Sequence, residues 1–278
     1  MVYQGSSDAS PPTEQIWSML PDGSDRRLEP LDCPSPIYIG GLLDVSPDGT
    51  RILRDCGTPP QGGAPGSQPS GYGVVIQDVD GGARHSILQH ELIDHVGARW
   101  SPDGRQIAVA SASAGLTVVD VASGAVRTVT LDHPLNPGGF TWSPDGTRLL
   151  TGDFTIIDLA TGTTTDRSDL FPPFPAGWSS SSRSSVWAPD GSIYVWEDYV
   201  ASSVDHEAMY RIDLDSGATQ LLLQPTGIAG GVVFLPNDRL LLRDEMDTIT
   251  TTSLDGTAPQ IIQMPWKYSG FVAARPAN

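Results

Sequence analysis

One tetrapeptide limits what this chain can fold into. Ser46-Pro47-Asp48-Gly49, Ser101-Pro102-Asp103-Gly104 and Ser143-Pro144-Asp145-Gly146 are identical. Ala188-Pro189-Asp190-Gly191 is a near copy and Leu235-Pro236-Asn237-Asp238 a worn one. The tetrad is a turn with a mechanical reason for each residue. Proline presets φ at the first central position of a type I turn, and serine suits the position before it. Glycine then takes the left-handed conformation that lets a hairpin continue through a bulge.

The flanks agree with that reading. Before the tetrads stand short apolar runs, Gly41-Leu42-Leu43-Asp44-Val45, Ala98-Arg99-Trp100, Phe140-Thr141-Trp142, Ser185-Val186-Trp187 and Val232-Val233-Phe234. After them come Arg51-Ile52-Leu53, Gln106 to Ala110, Arg148-Leu149-Leu150, Ile193 to Trp196 and Leu240-Leu241-Leu242. A second hairpin follows in each unit, its turn marked by Asp80-Gly81-Gly82, Ser123-Gly124, Thr161-Gly162, Ser216-Gly217 or Asp255-Gly256. Each unit therefore holds four strands, and its length matches that of a propeller blade. Trp100, Trp142 and Trp187 recur at one repeat position and are expected in the core between blades.

Five full units are predicted, over about 41–90, 96–130, 138–168, 183–224 and 230–263. The ends supply a sixth, composite unit from about 1–29 and 268–278, in which Met1-Val2-Tyr3-Gln4 joins strands from the far end of the chain. The expected fold class is all-β: a single six-bladed β-propeller domain of four-stranded antiparallel blades. Strands from both termini close its ring and remove the open sheet edge.

The repeats resemble the TolB-type, WD-repeat-like propeller family, marked by an aromatic residue, Ser-Pro-Asp-Gly and an apolar strand. The resemblance covers nearly the whole chain. Two departures matter: Asp238 replaces the glycine of the fifth full unit, and the family's Asp-Arg-Asp-Gly turn is missing. The resemblance implies a fold more than a function, because such propellers include protein-docking scaffolds, sugar-binding modules, lyases and peptidase domains.

Charge narrows the partners. A formal net charge of −17 and a pI near 4.4 repel phosphate backbones and anionic membrane surfaces. Nucleic acid is not expected as a partner, whereas cations, basic proteins and neutral polar ligands stay open. No stretch reaches the roughly 18 apolar residues needed to cross a bilayer. Met1 to Gly5 shows no secretory signal, so the chain is either cytoplasmic or exported with its signal removed.

The short turns fall at one end of each unit and the long connections at the other. A functional site is expected among the long connections, over the central channel. They are read as 55–71, 90–95, 168–184 and 197–208. Residues just past the second strands, Arg54, Asp55, Asp153, Glu197, Asp198, Arg243 and Asp244, should ring this face. With Trp178, Arg183 and Tyr199 they form the expected ligand-binding set. No cofactor is required by this reading, although Asp55, Asp153, Asp198 and Asp244 suit a hard cation such as calcium; the competing reading is that each caps its own turn. His90-Glu91 and Asp94-His95 form a poor zinc pattern, since one helix face needs a spacing of four. If the chain is an enzyme, His133 and His206 are the candidate bases, and Arg183 and Arg243 would hold a substrate carboxylate. Tyr72 and Trp196 are further aromatics beside the long connections. Cys33 and Cys56 should sit on adjoining strands, where a disulfide is plausible and would argue for an oxidising compartment.

The leading expectation is an extracytoplasmic, non-catalytic binding or scaffold propeller that docks a protein or carbohydrate. A hydrolase or lyase using the same face is the rival, and a structural subunit of a larger assembly the third reading.

Overall fold

The computed structural model describes residues 2–6, 14–18, 27–29, 41–58, 71–79, 82–92, 96–111, 115–132, 139–171, 179–201, 204–223, 232–235, 239–243, 249–253, 257, 260–262 and 268–273. Two compact units emerge, Met1–Pro137 with Pro265–Asn278, and Gly138–Met264. The first holds β1 (Val2–Ser6), β2 (Glu14–Ser18), β3 (Arg27–Glu29), β4 (Leu42–Val45), β5 (Arg51–Thr58), β6 (Gly71–Asp78) and β7 (Arg84–Leu92). It continues with β8 (Val96–Trp100), β9 (Gln106–Ser111), β10 (Gly115–Asp120) and β11 (Val126–Val129). The second holds β12 (Phe140–Trp142), β13 (Arg148–Thr151), β14 (Thr155–Asp158), β15 (Thr164–Asp166), β16 (Ser179–Trp187), β17 (Ile193–Ala201), β18 (Val204–Ile212) and β19 (Thr219–Leu223). It ends with β20 (Val232–Leu235), β21 (Arg239–Arg243), β22 (Ile249–Ser253) and β23 (Gln260–Ile262), before β24 (Tyr268–Ala273) returns to the first unit.

Every described sheet has four strands. Five follow chain order, β4 to β7, β8 to β11, β12 to β15, β16 to β19 and β20 to β23. The remaining one runs β24-β1-β2-β3, so the first strand of the chain lies between the last and the second. All pairings are antiparallel, for example Val45 with Ile52 and Trp100 with Ile107.

The tetrads close the β4–β5, β8–β9 and β12–β13 hairpins in the same way. Gly49 donates its amide to Ser46 O at 2.8 Å while holding φ at 70°, a value that only glycine adopts without strain. The serine and aspartate side chains lock the rest. Ser46 Oγ donates to Asp48 Oδ1 at 2.6 Å and accepts from the Arg51 amide at 2.9 Å. The set repeats at Ser101, Asp103 and Gln106 and at Ser143, Asp145 and Arg148. These hydrogen bonds hold the Asp48, Asp103 and Asp145 carboxyls below the usual range, the serine hydroxyl being the largest cause in each. Asp120, Asp158 and Asp213 cap the second hairpins through Ser123, Thr161 and Ser216. These six carboxylates, of the chain's 33, therefore serve as turn chemistry.

The β16–β17 turn departs from the pattern. Alanine replaces serine, and the Ala188 amide bonds Ser192 O, one residue sooner than the Ser46-to-Arg51 closure. Ser192 and Arg211 take over the aspartate, with Arg211 Nη2 3.0 Å from Asp190 Oδ2.

Within each unit, neighbouring sheets pack face to face. Leu53, Val74, Ile76 and Leu88 meet Ala98, Trp100, Ile107, Val109 and Val119 in the first unit. Leu150, Phe154 and Ile156 meet Trp187, Ile193, Val195 and Ile212 in the second. An arginine from one sheet lies over the tryptophan of the next at both places, Arg51 at 4.7 Å from the Trp100 ring centroid and Arg148 at 5.0 Å from that of Trp187. Trp100, Trp142 and Trp187 are all buried, as their shared position in the repeat requires.

Candidate functional site

The strands run further than the sequence pattern predicts, and this moves the expected site residues. Arg54, Asp55 and Cys56 lie inside β5, so the first long connection is 59–70 rather than 55–71. Glu197, Asp198 and Tyr199 lie inside β17, and His206 and Glu207 inside β18. The segment 197–208 is thus a strand-to-strand arm joined at 202–203, not a loop. Arg183 belongs to β16, which begins at Ser179, and Ser168–Leu170 form a short 3₁₀ turn. His90 and Glu91 close β7, which leaves only 93–95 as a connection. Polar residues can continue a strand wherever the neighbouring backbone continues to pair, because the ladder needs amides and carbonyls rather than apolar side chains.

Register also corrects the ring of carboxylates. Counting from the inner-strand pairs Val45–Ile52, Trp142–Leu149 and Trp187–Ile193, Asp55 is equivalent to Gly152 and Trp196, whereas Asp153 is equivalent to Glu197 and Cys56. Asp55 is therefore one residue out of step with the others. A one-residue slip moves a strand residue to the opposite face of its sheet. The shortened Ala188 turn causes the slip between Asp55 and Glu197, since it advances every later residue of β17 by one; Asp55 and Asp153 follow turns of equal length and simply stand at different distances from them.

The described site residues are scaffold as much as surface. Arg54 is 1% exposed and donates from Nη1 to Gln77 Oε1 at 3.2 Å across β5 and β6. Asp55 is buried beside it, and Glu197 is 0% exposed. Asp153 is exposed and accepts a short hydrogen bond from Thr151 Oγ1, capping the β13–β14 turn. Among the described residues no three His, Cys, Asp or Glu side chains gather to hold a metal ion. Trp178, His133, Asp244, Asp94 and His95 lie outside the described residues, and Tyr72 and Arg243 are placed only as members of β6 and β21. Cys56 is disulfide-bonded; Cys33, the chain's other cysteine, lies outside the described residues.

What the register does bring together is a group on the β16–β17–β18 arm. Arg183 lies opposite Glu197, Ser180 opposite Tyr199, and Tyr199 opposite His206. Residues directly opposite one another in an antiparallel pair share a face. Ser182, Asp198 and Glu207 form the intervening row.

One perturbed group was not singled out from the sequence. Asp44, on β4, accepts a hydrogen bond from the Trp100 amide on β8 at 2.7 Å. Arg99 donates to Leu43 O beside it. Burial pushes the Asp44 carboxyl from 3.8 up to about 6, against the pull of the Arg99 charge and the Trp100 amide. The available signal was an aspartate in an otherwise apolar inner strand, Leu42-Leu43-Asp44-Val45.

No family model matches the chain, and no curated protein matches it by sequence. Solved structures are similar in fold. TolB from Acinetobacter baumannii superposes with a TM-score of 0.60 at 17% identity, over 92% of this chain and 61% of that one. The chain thus spans under two thirds of TolB. An oligogalacturonate lyase from Vibrio parahaemolyticus gives 0.56 at 10% identity, over 94% and 85% of the two chains. A chain of the mitotic checkpoint complex gives 0.51 at 13% identity, over 84% and 81%. At these identities the likeness carries the fold and leaves the activity open. Built of four-stranded antiparallel sheets and similar to these structures, the chain has a TolB-like β-propeller fold.

Proposed function

We propose that this chain is a non-catalytic binding propeller, acting outside the cytoplasm, that docks a protein or carbohydrate ligand on the long-connection end of its sheets. Six blades in a ring closed by β1 and β24 would provide the scaffold. The observation that carries this reading is the contrast between the two ends of the sheets. Three described tetrads repeat one hydrogen-bonded turn and the Ala188 turn shortens it by one residue, while the opposite end varies from the three-residue β13–β14 reversal to the β17–β18 arm. Arg54, Asp55 and Glu197 are buried in the sheets, which suits a rigid platform better than groups offered to a reacting molecule. The disulfide at Cys56 supports an oxidising compartment.

A hydrolase or lyase on the same end is the second reading. It is favoured by the register that places Arg183, Tyr199 and His206 on one face.

Replacing residues 198–207 by an Asn-Gly turn tests the proposal. The trimmed chain should keep its cooperative unfolding and lose binding to oligosaccharides or to partners captured by the intact chain. Incubating the intact chain with the same oligosaccharides separates the readings, since cleavage products would establish the enzyme instead. Unchanged binding by the trimmed chain would remove the arm from the site.

A further inference from the structure

The two faces of the β4–β7 sheet differ in chemistry. Leu53, Val74, Ile76 and Leu88 form the apolar face that meets the β8–β11 sheet. Strand alternation and the unbroken β5–β6 register put Ile52, Arg54 and Cys56 on the opposite face, beside Val75 and Gln77. That face is buried as well, with Arg54 1% exposed and Gln77 2%. β24 and β1 also pack against β4. The Arg54 face therefore looks toward the β24-β1-β2-β3 sheet.

Three other described sheets carry no charge at these two places. Counted from the inner-strand pairs, Arg54 is equivalent to Val109, Thr151 and Val195. Gln77 is equivalent to Val119, Ile157 and Ile212. Val109 and Val119 stand in one apolar core, and Val195 and Ile212 in another. On the β4–β7 sheet the same places hold a guanidinium and the Gln77 Oε1 that accepts from it at 3.2 Å. A buried, hydrogen-bonded charge stabilises less than the aliphatic packing it replaces, because desolvation offsets much of its attraction. Packing therefore holds the β24-β1-β2-β3 sheet less firmly than it holds the β8–β11 sheet on the other face. A covalent bond compensates. Cys56 shares the Arg54 face and is disulfide-bonded; with two cysteines in the chain and neither free, its partner is Cys33. Cys33 follows Glu29, the last residue of β3, by four positions, a reach of at most about 14 Å. The bond thus ties an edge strand of the β24-β1-β2-β3 sheet to β5.

We propose that the β24-β1-β2-β3 sheet is a redox-released closure: the Cys33–Cys56 bond straps it to the β4–β7 sheet, and reduction of that bond frees it while the other sheets stay folded. The reductant is a dithiol. One of its thiolates attacks a sulfur of the bond, the displaced cysteine takes up a proton, and the second thiol then displaces the other cysteine. Two electrons and two protons pass to Cys33 and Cys56, which become thiols, and the dithiol becomes a disulfide. In an oxidising compartment the strap stays shut. The device is independent of what the propeller docks.

Hydrogen exchange followed by mass spectrometry tests this on the intact chain, with and without dithiothreitol. The reagent has a single target, since the chain contains two cysteines. After reduction, peptides covering β1–β3 and β24 should exchange at least about tenfold faster, while peptides covering β8–β19 keep their protection. The Cys33→Ser/Cys56→Ala double variant should show the same pattern with no reagent. Should that variant fail to fold, reduction of the folded, oxidised chain gives the answer, and alkylation verifies that both thiols have formed. Unchanged protection of β1–β3 and β24 in the reduced chain overturns the strap. Loss of protection in every sheet together overturns the selective release and makes the bond a support of the whole fold. A bond that resists dithiothreitol in the folded chain overturns the redox control.

Discussion

The two described sheet junctions share one device and differ in everything around it. In both, an arginine two residues after the turn glycine lies over the tryptophan of the next sheet. The β4–β7/β8–β11 junction adds charge to its inner strands, through Asp44 and Arg99. At the same positions the β12–β15/β16–β19 junction has Thr141 and Val186, both partly buried and neither charged. It is filled instead by Phe154, which is fully buried, holds φ at 67° and lies 4.4 Å from the Phe171 ring. The shared arginine and tryptophan fix the spacing of the sheets. Once that spacing is fixed, the inner strands accept either a polar clamp or an apolar plug.

Six substitutions should break or sharpen this contrast. Phe154→Ala should have the largest effect, a loss of about 3–5 kcal/mol by urea unfolding, because it empties the apolar junction. A loss below about 1 kcal/mol would mean that the junction does not depend on its plug. Asp44→Asn should act in the opposite direction. A carboxyl whose folded pKa is raised from 3.8 to about 6 favours the folded state fully below about pH 4, and that contribution is lost as pH rises through 6. Asparagine keeps an acceptor for the Trp100 amide without the buried charge. The variant should therefore gain up to about 3 kcal/mol at pH 7.5 and little at pH 4. An equal gain at both pH values would refute the titration.

Ser143→Ala should cost about 1–2 kcal/mol, because Ser143 Oγ serves both Asp145 and the Arg148 amide. Ala188→Ser should gain almost nothing, since its shortened turn closes on Ser192. Finally, Arg51→Ala and Arg148→Ala should each cost about 0.5–1 kcal/mol. Similar values for the two would confirm the device as common to both junctions; a difference above about 1 kcal/mol would end the equivalence.

The turns were legible in the sequence because each tetrad residue has its own local reason to be there. The strand order of the β24-β1-β2-β3 sheet was legible for a related reason, since the fragments at the two ends of the chain were each incomplete as a unit. The arm was not. Glu197-Asp198-Tyr199 and Asp205-His206-Glu207 look like loop by composition, and only cross-strand pairing makes them strands. The match between Asp55 and Glu197 failed for a subtler reason. Distance from the turn glycine is a sound ruler only while every turn has the same length, and Ala188 removes one residue from it. Asp44 was visible as a charge in an apolar strand, but its partners come from β8 and could not be read locally.

The place of β1 has a consequence for how the protein is made. Val2 pairs with Ala273 on one side and Ser18 on the other. While the ribosome is still adding residues, the first strand has one partner and a bare row of amides and carbonyls where β24 will lie. That vacancy persists until β24 has been made, and the closing contact joins Val2 to Ala273, the kind of long-range pairing that slows folding. A nascent chain would need that edge shielded until the last strand emerges.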